Sequence, residues 1–168
     1  LGPDDVAARG NFCVVDENGL LVDRRAGRLP TSESERLVQK LRAIKLEGAE
    51  VFVEVVKEHR FVLVLRAPGL GTSLTDSDPL VTGAAPLKVP ALEASCERTA
   101  TLFNQFLEKA AGVLKNETPA NMVLLRGFAK FPVMPKYPDS FKLHAAAIAV
   151  NGMDRGVARL VGMNVLPV

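Results

Sequence analysis

Residues 8–28 have the sequence ARGNFCVVDENGLLVDRRAGR and predict a β-hairpin with arginines at its base. The pair Asn18-Gly19 is a strong hairpin turn signal, because both residue types tolerate a positive φ angle. The apolar residues of the two predicted arms are Phe12, Val14, Val15, Leu20, Leu21 and Val22. This stretch therefore predicts an antiparallel strand pair near the start of the chain.

The ends of the predicted hairpin carry an unusual concentration of positive charge. Arg9 precedes the first arm, and Arg24, Arg25 and Arg28 follow Asp23 at the end of the second. Antiparallel arms bring these ends together, and crowded guanidinium groups repel one another unless an anion or carboxylates neutralise them. The planar fork of arginine suits phosphate and carboxylate groups. The residues alone also fit an ordinary hairpin whose arginines are solvated.

The pattern after the hairpin indicates alternating strands and helices. A capping box of Ser32 and Glu35 predicts a helix start, and Gly48 predicts its end. We expect strands at 50–57, 60–66, 122–125 and 143–150, and further helices at about 95–114 and 153–161. Residues 67–92 are rich in Pro and Gly and predict a long, functional or mobile loop. The expected fold class is α+β, with a mixed, mostly antiparallel sheet and helices packed on one of its faces.

Composition excludes several classes of function. The chain has 168 residues, a net charge of +2, one Tyr and no Trp. No long basic run or aromatic platform is present, so we expect no nucleic-acid partner. No apolar run is long enough to span a membrane, so we expect no membrane partner either. Cys13 and Cys96 lie far apart without metal-ligand spacing, which favours reduced core residues and a cytoplasmic location.

Three further sites carry candidate chemistry. His59-Arg60 lies at a predicted turn between strands, Asp76 and Asp78 lie in the long loop, and Arg126 ends a predicted strand. A histidine of this kind binds an anion or moves a proton. Each site also has an ordinary interpretation: an exposed turn residue, loop-capping carboxylates and a surface ion pair, respectively. Without further information these alternatives stay open.

Six short sequence words, in order and across nearly the whole chain, resemble the archaeal-type cofactor-independent phosphoglycerate mutases of the alkaline phosphatase superfamily. They are Ala8–Phe12, Asp23–Arg28, His59-Arg60, Thr75–Pro79, Leu125–Gly127 and Gly156–Met163. The resemblance implies an enzyme of glycolysis and gluconeogenesis. Such an enzyme interconverts 3-phosphoglycerate and 2-phosphoglycerate through a phosphoserine, with divalent metal ions (manganese or magnesium).

The same resemblance implies roles for individual residues. We expect Arg9, Arg24, Arg25, Arg28, His59, Arg60, Asp76 and Arg126 to bind substrate, and Asp23 or Asp78 to take the hydroxyl proton. We expect no metal ligands here, because the chain has two histidines and lacks the serine nucleophile and acidic cluster that this superfamily needs.

The chain is therefore expected to be one domain over residues 1–168, the inserted substrate-binding or lid domain of a larger enzyme. Its partners would be phosphoglycerate and the catalytic metal domain of the same parent chain. Alone it is expected to be inactive. The alternatives are a non-catalytic anion-binding or interaction module, or the insert of a related phosphomutase.

Overall fold

The long strand β1 (Asp5–Val15) is the centre of the main sheet in the computed structural model, which describes residues 1–167. Strand β1 pairs antiparallel with β4 (Arg60–Arg66) on one side and with β5 (Met122–Ala129) on the other. Strand β3 (Glu50–Lys57) pairs with β4, and the short β2 (Leu21–Asp23) pairs with the end of β1. The α+β class with a mostly antiparallel sheet is thus confirmed; every pairing in this main sheet is antiparallel, and the bounds of β3 and β4 match the prediction.

The β1–β2 hairpin is present, with a loop one residue longer than its two-residue turn signal predicts. The Asp16 N–H donates to the Leu20 carbonyl at 2.9 Å, so the loop proper is residues 17–19. The Asp16 carboxylate accepts the N–H groups of Asn18 and Leu20 at 2.9 and 2.8 Å. Gly19 has a φ of +77°, whereas Asn18 does not share the positive φ. A three-residue loop ending in a left-handed glycine explains this geometry.

Helices α1 (Thr31–Arg42) and α2 (Glu97–Leu114) contribute to one hydrophobic core with the sheet. Helix α2 buries the face that its spacing predicts, including Phe103, Leu107 and Leu114. The capping box predicted for α1 is wrong: Pro30 occupies the N-cap and no side chain caps the helix. The end predicted at Gly48 is also wrong, because α1 stops at Arg42. Both cysteines are buried and free, as expected.

The close approach of β1 to β4 depends on Gly10. This residue lies opposite Phe61, and a Cβ added to it would come within 2.2 Å of the Phe61 ring. The ring instead packs against Phe12, with ring centroids 4.9 Å apart. Any larger residue at position 10 would force the Phe61 ring or the strands to shift.

The described chain divides into two compact units, Leu1–Phe131 and residues 132–167. The second contains the short helix α3 (Tyr137–Phe141), strand β6 (Ala146–Ala147), helix α4 (Gly152–Leu160) and strand β7 (Asn164–Val165). The predicted last helix is therefore present, but the strand predicted at 143–150 shrinks to two residues. The expectation of one functional domain over the whole chain stays a prediction.

Candidate anion-binding site

The face of the main sheet opposite the two helices carries the polar residues. Side chains alternate along β1, so Val6, Ala8 and Phe12 enter the core whereas Arg9 and Asn11 project from the other face. Arg126 lies directly opposite Arg9 in the β1–β5 register, and Arg60 lies opposite Asn11 in the β1–β4 register. Cross-strand partners share a face with Cβ atoms about 5 Å apart. Antiparallel pairing therefore brings three arginines from three strands together.

Asp78 anchors a fourth arginine to this face. Its carboxylate accepts two hydrogen bonds from Arg24, from Nε and Nη2, both at 2.8 Å. It also accepts the Leu80 N–H at 2.9 Å and a longer contact of 3.5 Å from Nη1 of Arg126. Burial of Asp78 opposes ionisation, but these hydrogen bonds and the two positive charges outweigh it and lower the pKa of the carboxyl. Asp78 is thus an ionised, fully engaged anchor for the guanidinium groups.

Asp76 holds the end of β5 in a similar way. Its Oδ1 accepts the N–H of Gly127 at 2.9 Å, and its Oδ2 lies 3.3 Å from Nε of Arg126. The register of β1 with β5 is irregular here, and Gly127 has a φ of +63°, which glycine adopts readily. Both loop aspartates of the predicted site therefore lie in contact with its arginines.

Ser77 fixes the loop between these two aspartates. Its Oγ accepts the N–H of Leu125 at 2.7 Å, and its own N–H donates to the Leu125 carbonyl at 2.9 Å. Ser77 is completely buried. Sequence reasoning did not single it out as functional, although it stands between two predicted site residues. The pairing to Leu125 explains why both aspartates point at the end of β5.

Arg25 lies immediately before a turn whose backbone has left-handed φ angles. Residues Ala26, Gly27 and Arg28 have φ angles of +46°, +62° and +54°, which are unfavourable for the two that are not glycine. The Asp23 carboxylate supports the turn by accepting the N–H groups of Arg25 at 2.7 Å and Gly27 at 2.6 Å. Both Asp23 oxygens are thus used for backbone support, and its predicted role as proton acceptor stays a prediction.

Arg9 is the electrostatic centre of the group. Arg9 is an exposed residue, but partial desolvation by its neighbours lowers the pKa of its guanidinium, and the charges of Arg126, Arg60 and Arg25 lower it further. We call Arg9, Arg24, Arg25, Arg60 and Arg126 the arginine cluster. Within the described residues, neither the Arg9 nor the Arg25 guanidinium group forms an ion pair with a carboxylate within 4 Å. Arg28, also predicted for the site, is exposed at the end of the turn. Its backbone N–H donates to the Arg25 carbonyl at 2.9 Å, but no hydrogen bond or ion pair of its side chain is found among the described residues.

His59 lies buried beside the arginine cluster at the turn between β3 and β4. Burial, followed by the charge of Arg60, lowers the pKa of its imidazole, and Arg25 and Arg9 act in the same direction. Its Nδ1 and the Nε of Arg60 are buried without a hydrogen-bond partner. The same is true of Oδ1 of Asn11, a residue missed by sequence reasoning, although it lies in the first matching word. Buried polar atoms normally find partners, so these three atoms have unused hydrogen-bonding capacity beside the arginines.

The residues of this face do not fit a divalent metal ion. Asp76 and Asp78 both pair with arginines, and the surrounding guanidinium groups repel a cation. No three His, Cys, Asp or Glu side chains of residues 1–167 come together as a possible metal site. The metal ions implied for the parent enzyme are therefore a prediction about other parts of that protein. None of the helices in the described range is long and apolar enough to cross a membrane.

Comparison with known proteins places this chain in a family. The model of the 2,3-bisphosphoglycerate-independent phosphoglycerate mutases matches residues 1–121. The chain belongs to this family. Membership confirms the relationship that the six sequence words indicated, and four of those words fall wholly within the matched residues.

Curated relatives of this mutase-family chain are similar over its full length. A Thermus thermophilus protein named "Probable 2,3-bisphosphoglycerate-independent phosphoglycerate mutase" is 49% identical over 174 residues, covering 100% of this chain and 43% of the relative. A Deinococcus radiodurans protein of the same name is 44% identical, with 100% and 42% covered. The chain therefore spans less than half the length of these relatives.

A solved structure of the family has the same fold. The cofactor-independent phosphoglycerate mutase from Thermoplasma acidophilum superposes with a TM-score of 0.74 and 30% sequence identity. The match covers 99% of this chain and 48% of that one. The mutase fold of this chain is thus α+β, as predicted, and it corresponds to one part of a longer mutase.

Proposed function

We propose that this chain is the substrate-binding part of a phosphoglycerate mutase that interconverts 3-phosphoglycerate and 2-phosphoglycerate. The observation that carries the proposal is the convergence of the arginine cluster on the face of the main sheet opposite helices α1 and α2. Family membership supplies the substrate class, because the relatives are named as phosphoglycerate mutases. The phosphoserine intermediate and the divalent metal chemistry belong, in this proposal, to parts of the parent protein outside this chain.

The charge of the arginine cluster matches that of the substrate. Phosphoglycerate carries a carboxylate and a phosphate monoester, whose charges together amount to about −2.5 to −3 at neutral pH. Within the described residues the five cluster arginines have three carboxylate partners, Asp76, Asp78 and Glu58. The excess positive charge is carried by Arg9 and Arg25, so binding an anion removes the repulsion that their neighbours exert.

The arginines divide into two roles. Arg24 and Arg126 are held by carboxylates, which fixes their guanidinium groups before the ligand arrives. Arg9 and Arg25 lack such partners and are the groups that pair with the substrate. Asp76 and Asp78 are then positioning residues, because they act through the arginines. We propose that His59, neutral because its pKa is lowered, contributes hydrogen bonding rather than charge.

Proton transfer requires an acceptor near the glycerate hydroxyls. Asp23 and Asp78 were predicted for this role, and the proposal keeps them as candidates within reach of the arginine cluster. Both carboxylates accept N–H donors on both oxygens, and the lowered pKa of Asp78 makes it a weak base. Either carboxylate would have to give up one of its N–H donors before it could accept the hydroxyl proton of the substrate. Each aspartate is therefore tested first as a residue that positions the arginines.

The test uses the full-length parent enzyme and the variants Arg9→Ala and Arg25→Ala. Each loses one charge-assisted pair with the substrate, which is worth about 1.5–3 kcal/mol, so kcat/KM should fall roughly 10- to 150-fold. Arg36→Ala is the matched control, because Arg36 lies on α1 and pairs with Glu33 and Glu117. Mutase kinetics and calorimetric titration with 3-phosphoglycerate provide the two measurements.

Equal and small effects at all three arginines would refute the proposal. Product analysis by phosphorus NMR distinguishes the alternatives that the sequence left open. Conversion of a different phosphate ester, with none of 3-phosphoglycerate, would indicate a related phosphomutase. Anion binding without turnover by the full-length parent would indicate a non-catalytic anion-binding module.

A further inference from the structure

Ser77 joins the long loop of residues 67–92 to strand β5. Its N–H donates to the carbonyl of Leu125 at 2.9 Å, and its Oγ accepts the Leu125 N–H at 2.7 Å. Its own carbonyl accepts the N–H of Leu87, further along the same loop, at 2.8 Å. The hydroxyl of Ser77 therefore takes the place of its carbonyl, which is already engaged, as the acceptor for the backbone of β5.

The residues on either side of Ser77 are the two aspartates that hold arginines of the cluster. Oδ2 of Asp76 lies 3.3 Å from Nε of Arg126. Asp78 holds Arg24 through two hydrogen bonds of 2.8 Å. Because the three consecutive residues share one stretch of backbone, any shift of Ser77 also moves both carboxylates.

On the basis of the function proposed above, we propose that Ser77 is a positioning residue of the mutase reaction, which sets two arginines of the cluster through Asp76 and Asp78. Ser77 is completely buried, and its polar atoms are taken by Leu125 and Leu87, so it offers no group to a ligand. Its effect on the reaction therefore passes through the aspartates beside it.

Loss of the Ser77 hydroxyl would leave the buried N–H of Leu125 without its acceptor. A buried N–H that lacks a partner is unfavourable, so the loop and β5 would shift until this group finds another acceptor. The two aspartates would keep their charges but lose the position from which they hold the arginines. Misplacing a binding group by about 1 Å lowers the rate of an enzyme by up to about 100-fold.

Thr99 on helix α2 provides a matched control in the same loop. Its Oγ accepts the N–H of Gly71 at 2.8 Å, and Thr99 is as completely buried as Ser77. Neither Thr99 nor Gly71 belongs to the arginine cluster or to its aspartates. Thr99→Val keeps the shape of the side chain and removes the hydroxyl, so it weakens the attachment of the loop without acting on the carboxylates of the site.

The test compares Ser77→Ala with Thr99→Val in the full-length parent enzyme, at a temperature at which both variants are folded. Both variants should melt a few degrees below the wild type, because each leaves one N–H group of the loop region without its acceptor. Mutase kinetics with 3-phosphoglycerate should show that kcat/KM falls roughly 10- to 100-fold in Ser77→Ala and keeps its wild-type value in Thr99→Val.

Modification by phenylglyoxal, a reagent that reacts with guanidinium groups, gives a second measurement that needs no substrate. Peptide mass spectrometry should show Arg24 and Arg126 reacting several-fold faster in Ser77→Ala than in the wild type, because their carboxylate partners have shifted. Thr99→Val should leave both rates unchanged. Arg36 on α1, which pairs with Glu33 and Glu117, is the internal reference in every sample.

Wild-type kcat/KM in a folded Ser77→Ala enzyme would overturn the proposal, as would a fall in kcat/KM without faster modification of Arg24 or Arg126. If Ser77→Ala does not fold, Ser77→Cys takes its place, because sulfur is a weak acceptor in nearly the same position. It should show both changes at smaller size, and wild-type values would overturn the proposal. A parent enzyme that does not convert 3-phosphoglycerate, but whose Ser77→Ala variant shows faster modification of Arg24, would overturn the proposed function and support the positioning of the arginine by Ser77.

Discussion

Replacing Asp78 with asparagine in the full-length parent enzyme tests the central contact of the site. The carboxylate side chain is 1% exposed and holds Arg24 through two hydrogen bonds of 2.8 Å. Asparagine keeps the shape but removes the charge, and its amide group presents N–H donors where Arg24 also donates. The variant therefore leaves a guanidinium group without its counterion and without a full set of acceptors.

The expected loss follows from the burial of the two partners. Removing one partner of a fully buried ion pair costs about 3–5 kcal/mol. Because the Arg24 side chain is 26% exposed, water compensates in part, and we expect a loss of about 2–3 kcal/mol in unfolding free energy. A change of 1 kcal/mol shifts the melting temperature of a domain of this size by roughly 2–4 °C. The predicted drop for Asp78→Asn is therefore about 4–12 °C.

The assay combines thermal unfolding with mutase kinetics. Asp4→Asn is the control, because Asp4 is an exposed aspartate near the chain start. A double-mutant cycle with Arg24→Ala separates the energy of the Asp78–Arg24 ion pair from general destabilisation. Once Asp78→Asn is present, Arg24→Ala should lower the unfolding free energy only slightly further. Additive losses in the cycle, or an Asp78→Asn enzyme that melts with the Asp4→Asn control, would refute the reasoning.

Two further predictions concern the stability of the first unit. Gly10→Ala should lower the unfolding free energy by about 1–3 kcal/mol in urea titrations, because the new Cβ would lie 2.2 Å from the Phe61 ring; wild-type stability would contradict this packing. The second concerns Asp5, whose pKa the hydrogen bonds from Arg66 lower from 3.8 to about 2. Between these two pH values the unfolded state binds more protons than the folded state. The stability that this pair contributes is therefore fully present above pH 3.8 and is lost as the pH falls towards 2. Asp5→Asn should lower the unfolding free energy by about 1–2 kcal/mol at pH 7, a value reduced because Arg66 is half-exposed. It should also make the unfolding free energy less dependent on pH in the acid range. An unchanged pH dependence would argue against the Asp5–Arg66 pair.

Local patterns in the sequence were sufficient for most of the first unit. Runs rich in Val, Leu and Phe predicted β3 and β4, and helical spacing predicted the buried face of α2. Where local signals competed with tertiary packing, the predictions failed. Ser32 and Glu35 match a capping box, yet α1 begins at Thr31 after Pro30, whose fixed φ suits a helix entrance. The strand predicted at 143–150 is largely missing, because a short apolar run forms a strand only where a neighbouring strand pairs with it.

The sequence by itself determined which chemistry the chain carries, since it supplied the arginines, the loop aspartates and the six words that indicate the family. Tertiary structure decided how these groups meet. The β1–β5 register places Arg9 opposite Arg126, although 116 positions separate them, and the hydrogen bonds of Ser77 to Leu125 aim Asp76 and Asp78 at the arginines. Asn11, with its buried and unpartnered oxygen, also became visible only in the folded chain. The physical reason is that charge and residue type are local properties, whereas burial, register and hydrogen-bond satisfaction depend on distant segments of the chain.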